Sequence, residues 1–181
     1  MNLQLHFFGD PLLLKRCAPV EKVTPEIREL AEEMIQTMDD WRGIGLAASQ
    51  VGILLQIFVV RKQTVMPDGS MGLGEAHVYI NPKLTNPSKK SDVLQEGCLS
   101  LPGFTVAVER PLAIDIEYLN LDGVVCKERV SGFDARVLFH ENDHLHGRLS
   151  IHRTSEKEKN RVSAHLKALK KKYQARQKEI A

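Results

Sequence analysis

FDARVLFHENDHLHG, residues 133–147, sets two histidines and a glutamate at helical spacing inside an apolar frame. Ser131 and Asp134 stand at capping-box spacing, with Asp in place of the usual Glu, and Gly147 falls where a helix stops. The pattern predicts a helix over about 133–146. Four residues advance a helix by one turn and about 40°, so His140 and His144 share a face and can converge on one ion. Glu141 lies about 100° round the axis, close enough to reach a water on that ion without ligating it. Two nitrogen ligands and a carboxylate base are the chemistry behind HExxH, and metal-assisted hydrolysis is the reaction class it serves. The plain alternative is a pair of helical histidines, one of them satisfied in the core, and the motif alone leaves both open.

Outward from this helix the chain alternates short apolar runs with turn signals. Thr24 to Trp41 reads as a helix capped by Thr24, with Pro25 at its first position and Glu26 at the positive end of the dipole. Ile27, Leu30, Ala31, Met34 and Met38 form its apolar face. GIGLAASQVG, residues 43–52, reads as a glycine-rich turn. Strands are expected at Ile53–Val60 and 78–80, the second ended by Asn81-Pro82, with an exposed loop or hairpin tip from Met66 to Gly74. Further antiparallel strands are expected at Val106–Val108, Ala113–Asn120 and Val124–Val130, with Leu121-Asp122-Gly123 as the last turn. A second capping box, Ser155 with Glu158, opens a final helix running towards Lys178. The fold class is α+β: a central metal-binding helix packed among antiparallel sheets, with an N-terminal helix and an additional C-terminal helix. Residues 1–154 form the catalytic body, and 155–181 a basic helix of the same domain.

Composition narrows the function classes. No apolar run approaches the eighteen or so residues of a membrane span. The start, MNLQLHFFGDPLLLKRC, has neither a secretory pattern nor an Arg/Ser-rich transit pattern, so a cytoplasmic location is expected. Three cysteines, widely spaced, argue against a disulfide framework. Cys17 and Cys126 read as small apolar fillers. The net charge of +2 hides an asymmetry: residues 155–181 carry nine Lys/Arg against three Glu, a net +6, which leaves −4 on residues 1–154.

A catalytic metal site wants a third protein ligand and one open position. In HExxHxxGxxH proteases a further histidine provides it, but here HENDHLHGRLS ends on Ser150, with His152 two residues late. In other HExxH proteases it is a downstream glutamate, and Asn160 to Lys178 contains no acidic residue. Cys98 in EGCLS, residues 96–100, is another candidate. GIGLAASQ (43–50), EGCLS and HENDH (140–144), in that order, resemble the three motifs of the peptide deformylases, GxGxAAxQ, EGCxS and HExDH. Gly9-Asp10-Pro11-Leu12 and Leu145-His146-Gly147 add to the agreement, which covers essentially residues 5–155. Ser49 stands at a variable position of the first motif, often proline in the family.

The resemblance implies a metal-dependent hydrolase that removes the N-formyl group from the N-terminal methionine of nascent polypeptides and releases formate. It implies Cys98, His140 and His144 as ligands of one divalent ion, ferrous iron by family, with zinc, nickel or cobalt able to take its place. The ligand types alone suggest zinc. Glu141 is then the general base. Gln50 and the Leu99 N–H face the developing oxyanion, and Gly43 and Gly45 permit a tight turn and close approach of substrate backbone. Ile44 and Val137 line a pocket for the methionine side chain. Backbone at 43–45 and 101–103 holds the peptide as an extended strand. Glu96 and Asp143 orient ligands or pack against Arg110 or Arg136. An HExxH endopeptidase and a catalytically silent deformylase-like binding module are the rival readings. The basic residues Arg161, Lys167, Lys170, Lys171, Lys172, Arg176 and Lys178 either dock on the ribosome or form a solvated face. No membrane partner is expected.

Overall fold

The computed structural model describes residues 3–180, with side chains to residue 175. Among the described residues, seven strands and three α-helices are arranged as a five-stranded antiparallel sheet, a separate two-stranded sheet, and helices against both. The strands are β1 (Gly45–Ala47), β2 (Ile57–Val65), β3 (Met71–Thr85), β4 (Ser91–Glu96), β5 (Val106–Pro111), β6 (Ala113–Leu119) and β7 (Val125–Ser131). The helices are α1 (Pro25–Asp40), α2 (Gly132–Leu145) and α3 (Glu156–Ile180). The large sheet runs β1-β2-β3-β6-β7, and β4 pairs only with β5. The α+β architecture with a central helix agrees with the expectation.

Alternation along β2 divides the core. Ile57 and Val59 point towards α1 and join Ala31, Met34 and Met38. Phe58 and Val60 point the other way and join Ala135, Val137 and Leu138 of α2. Side chains alternate across a strand, so a strand buried on both faces reads as an unbroken apolar run. A third cluster lies under α3, where Val162 is buried and Leu166 and Leu169 pack on Leu13, Leu101, Val106 and Val108.

Several local expectations give way to long-range contacts. Residues 53–56 do not join β2, because Leu54 and Gln56 exchange backbone hydrogen bonds with Ala18. Asn81-Pro82 does not end its strand. Asn81 has φ +51° at a register shift between Ile80 and Lys83, and its amide bonds the Val20 backbone at 2.8 and 2.7 Å. Proline lacks the N–H a ladder needs, and a bulge is where a strand tolerates it. Residues 43–52 are not simply a turn: 45–47 form edge strand β1, and Ala48–Val51 a 3-10 turn closed by Gly52 at φ +87°. The Ser131–Asp134 capping box is absent, since Ser131 makes no side-chain cap and Asp134 accepts the Gln63 N–H instead. Ser155 does accept the Glu158 N–H, but the Glu158 carboxylate turns to the Ala107 N–H and to Arg161. Cys17 is a core filler, whereas Cys126 lies half-buried on β7, outside the core clusters.

Candidate metal centre and active site

Three motifs far apart in the chain meet on the floor of one groove. α2 presents His140, Glu141 and His144, the turn after β4 presents Cys98 and Leu99, and the 3-10 turn after β1 presents Gln50. Cys98 Sγ lies 3.3 Å from His144 Nε2. The two imidazole centroids are 5.1 Å apart at 64°. The sulfur and one nitrogen from each ring all lie within 4.8 Å of one another.

Charge in this cluster is arranged around a cation. Burial opposes protonation of both rings. At His140 the Cys98 sulfur and the Glu96 carboxylate outweigh that penalty and hold the ring well above the ordinary imidazole range. At His144 burial and the charge on His140 keep the ring well below it. Three donor atoms within 4.8 Å of one another, two of them on rings whose burial opposes protonation, suit a divalent ion bound without a proton. One sulfur and two nitrogens suit zinc or ferrous iron and leave an open position. The residues present therefore fit a divalent metal.

Glu96 fixes the geometry of His140. Its Oε2 lies 3.0 Å from His140 Nδ1, which leaves Nε2 to face the sulfur and the shared centre. Arg110 clamps both Glu96 oxygens, Nε to Oε1 at 2.9 Å and Nη2 to Oε2 at 3.0 Å, and Arg136 adds a bond of 2.8 Å. Burial would raise the Glu96 carboxyl, but the bonds from His140 and Arg110 hold it down at about 2. Arg110 also reaches Asp143 at 2.6 Å, and Arg153 bonds Asp143 from the segment leading into α3. The sequence suggested Arg110 and Arg136; nothing in the spacing pointed to Arg153.

Glu141 is the unusual group. Its side chain is buried, its Oε2 has no hydrogen-bond partner, and desolvation pushes its carboxyl up to about 7. A Cβ at position 45 would collide with the Glu141 carboxylate. Neither Gly43 nor Gly45 has positive φ. Gly45 is therefore required in β1 by the close approach of Glu141, not by a tight turn. Gln50 is held by its own loop: the Ala47 N–H donates to Oε1 at 2.8 Å, so Nε2 must face outward. That nitrogen donates to Ser100 Oγ at 3.2 Å and points at the Cys98 sulfur 3.7 Å away.

The groove above has a volume of about 430 Å³. Ile44, Gly45, Gln50, Cys98, Leu99, Val137, His140 and Glu141 all line it, while His144 is wholly buried behind them. Residues 43–45 and 101–103 both line it. Phe133, Phe104 and Arg42 also line it and were missed. Phe133 was within reach of sequence reasoning, one helical turn before Val137; Phe104 and Arg42 carry no such signal. His152 is not a ligand, as its Nδ1 accepts the Leu149 N–H at 2.9 Å.

Fold and site together define an α+β protein in which Cys98, His140 and His144 could hold one metal ion at the foot of a groove. The family model described as Polypeptide deformylase matches residues 3–160. A peptide deformylase of Novosphingobium aromaticivorans is 39% identical over 176 residues, covering 90% of this chain and 94% of that protein. One of Bradyrhizobium sp. is 45% identical over 145 residues, covering 80% and 82%. The crystal structure of plant peptide deformylase PDF1B superposes with TM-score 0.88 at 32% identity, covering 96% of this chain and 92% of that one. The chain belongs to the polypeptide deformylase family and is an enzyme of N-terminal deformylation.

Proposed function

We propose that the buried Glu141 carboxylate, poised beside Cys98, His140 and His144, is the general base that hydrolyses the formamide of N-formylmethionyl chains. Cys98, His140 and His144 would hold a divalent ion, ferrous iron in the cell and zinc, nickel or cobalt in purified protein, which would supply Lewis acidity to the formyl oxygen and to water. The thiolate cancels part of the ionic charge, so water is acidified less than on three histidines and needs a base close by. Glu141 takes the proton as the water oxygen bonds to the formyl carbon. The oxyanion is met by the Leu99 N–H and Gln50 Nε2, whose direction is set by Ala47. Glu141 then passes the proton to the methionine nitrogen as the C–N bond breaks, leaving formate and a free amine. Ile44 and Val137 receive the methionine side chain, and backbone at 43–45 and 101–103 holds the peptide extended.

The observation that carries this reading is an unpartnered, desolvated carboxylate at the floor of the groove beside the ligand cluster. Formate release from formyl-Met-Ala-Ser under anaerobic conditions tests it. Activity is expected from the parent and lost in Glu141→Ala and Cys98→Ala. Peptide-bond cleavage that survives Cys98→Ala would favour an HExxH endopeptidase, and no formate above the Glu141→Ala control would refute the assignment.

Residues 1–154 act as the catalytic body, with 155–181 as an integral helix. The exposed lysines at 167, 170, 171 and 172 on α3 favour docking on ribosomal RNA, where nascent chains are met. The side chains of Arg176 and Lys178 lie outside the described residues. No helix among the described residues is long and apolar enough to cross a membrane, and a cytoplasmic location fits an enzyme that works on nascent chains.

A further inference from the structure

Beside the groove lies a second, larger cavity of about 590 Å³ that the proposed chemistry does not use. Its walls come from the N-terminal segment (Leu5, His6 and Phe7), from Trp41 at the end of α1, and from Leu169 and Tyr173 of α3. The lining is mostly apolar and rich in rings. Phe7 and Trp41 have centroids 5.9 Å apart at 58°. Trp41 remains 49% exposed, an unusual state for the chain's single tryptophan. The polar rim is the His6–Asp10 pair at 2.6 Å, with Lys172 at the edge. A concave, ring-lined surface with few polar groups at its margin is the usual form of a side-chain pocket.

Two observations tie this cavity to the groove. Pro102 lines both, and Trp41 of the cavity is followed in the chain by Arg42 of the groove. The cavity wall also hangs on the catalytic loops: the His6 N–H donates to Gln50 O at 2.8 Å and the Phe8 N–H to Ser100 O at 2.9 Å. The N-terminal wall is therefore hydrogen-bonded to the active-site loops. Pro102 is where a peptide held along 101–103 would meet this cavity.

We propose that this cavity is a distal specificity subsite, taking an apolar and preferably aromatic side chain of the formylated peptide several residues beyond its methionine. The inference rests on the deformylase reading and adds a sequence preference to it. Extended peptides advance about 3.3 Å per residue with alternating side chains, so one position, and not its neighbours, should register with the cavity.

The test compares formyl-Met-Ala-Ser-Ser-Ser-Ser with peptides in which a single serine from the third to the sixth position is phenylalanine. One position should raise kcat/KM about tenfold, mainly through KM, as expected from partial burial of one ring. In both Trp41→Ala and Tyr173→Ala that ratio of phenylalanine to serine peptide should fall towards one. A flat series with normal formate release overturns the subsite and leaves deformylation standing. A preference that survives both substitutions also overturns it, since the ring is then bound elsewhere. A flat series is also the outcome if the protein's own terminal residues or another molecule fill the cavity. No formate from any peptide overturns both readings.

Discussion

Gly45→Ala isolates the placement of Glu141 from everything else in the site. The added Cβ would stand 2.8 Å from the Glu141 Cδ, where ordinary contact begins at 3.4 Å, so the carboxylate must retreat by at least about 0.6 Å. The nearer Oε1 demands more. β1 cannot yield easily, because Gly45 is paired with Val60, and Leu46 and Ala47 after it are buried. Misplacing a reacting group by about 1 Å costs on the order of 100-fold in rate. The kcat for formate release should therefore fall about 100-fold, with metal content and thermal midpoint near those of the parent. Gly43→Ala is the matched control: its Cβ would meet Leu99 Cδ1 at 2.8 Å, the far end of a flexible side chain, and a loss below about fivefold is expected. Formate assay, metal analysis and a melting curve on the same preparations separate the cases. If Gly45→Ala stays within threefold of the parent with its metal retained, the close approach of Glu141 does not control catalysis.

Two further outcomes concern α3. Glu158 is held down at about 2 by the Arg161 and Ala107 hydrogen bonds, against an ordinary value of 4.5. A depressed carboxyl stabilises the docked helix above its ordinary range and loses that contribution as pH falls from about 4.5 towards 2. The protection of the Ala107 amide from hydrogen exchange, relative to an unstructured amide at the same pH, should therefore fall over that interval in the parent and be low already at neutral pH in Glu158→Gln; equal protection in the two proteins would remove the anchoring role. Ribosome co-sedimentation of a chain ended after Lys170 should drop relative to the full chain, and unchanged binding would dismiss the docking role of the tail.

Whatever depends on spacing within one element could be read from the residues alone. His140, Glu141 and His144 occupy their places because a helix advances a fixed angle per residue, and the apolar face of α1 follows from the same periodicity. The glycine in the left-handed conformation after α2 was likewise legible, since Gly147 has φ +69°. The three motifs were legible as a family resemblance, with Cys98 and Gln50 in it, though no spacing rule joins a sulfur to an imidazole 46 residues away. How they meet is settled by folding: strands β1 and β4 are too short or too exposed to announce themselves, yet both carry residues that line the groove. Folding also decided that Gly45 is small because of Glu141, that Arg153 braces Asp143, and that a ring-lined cavity opens beside Pro102. Each of these depends on which distant segments close against one another. Local periodicity carries no information about that closure, because strand pairing and side-chain packing are selected by the whole chain at once.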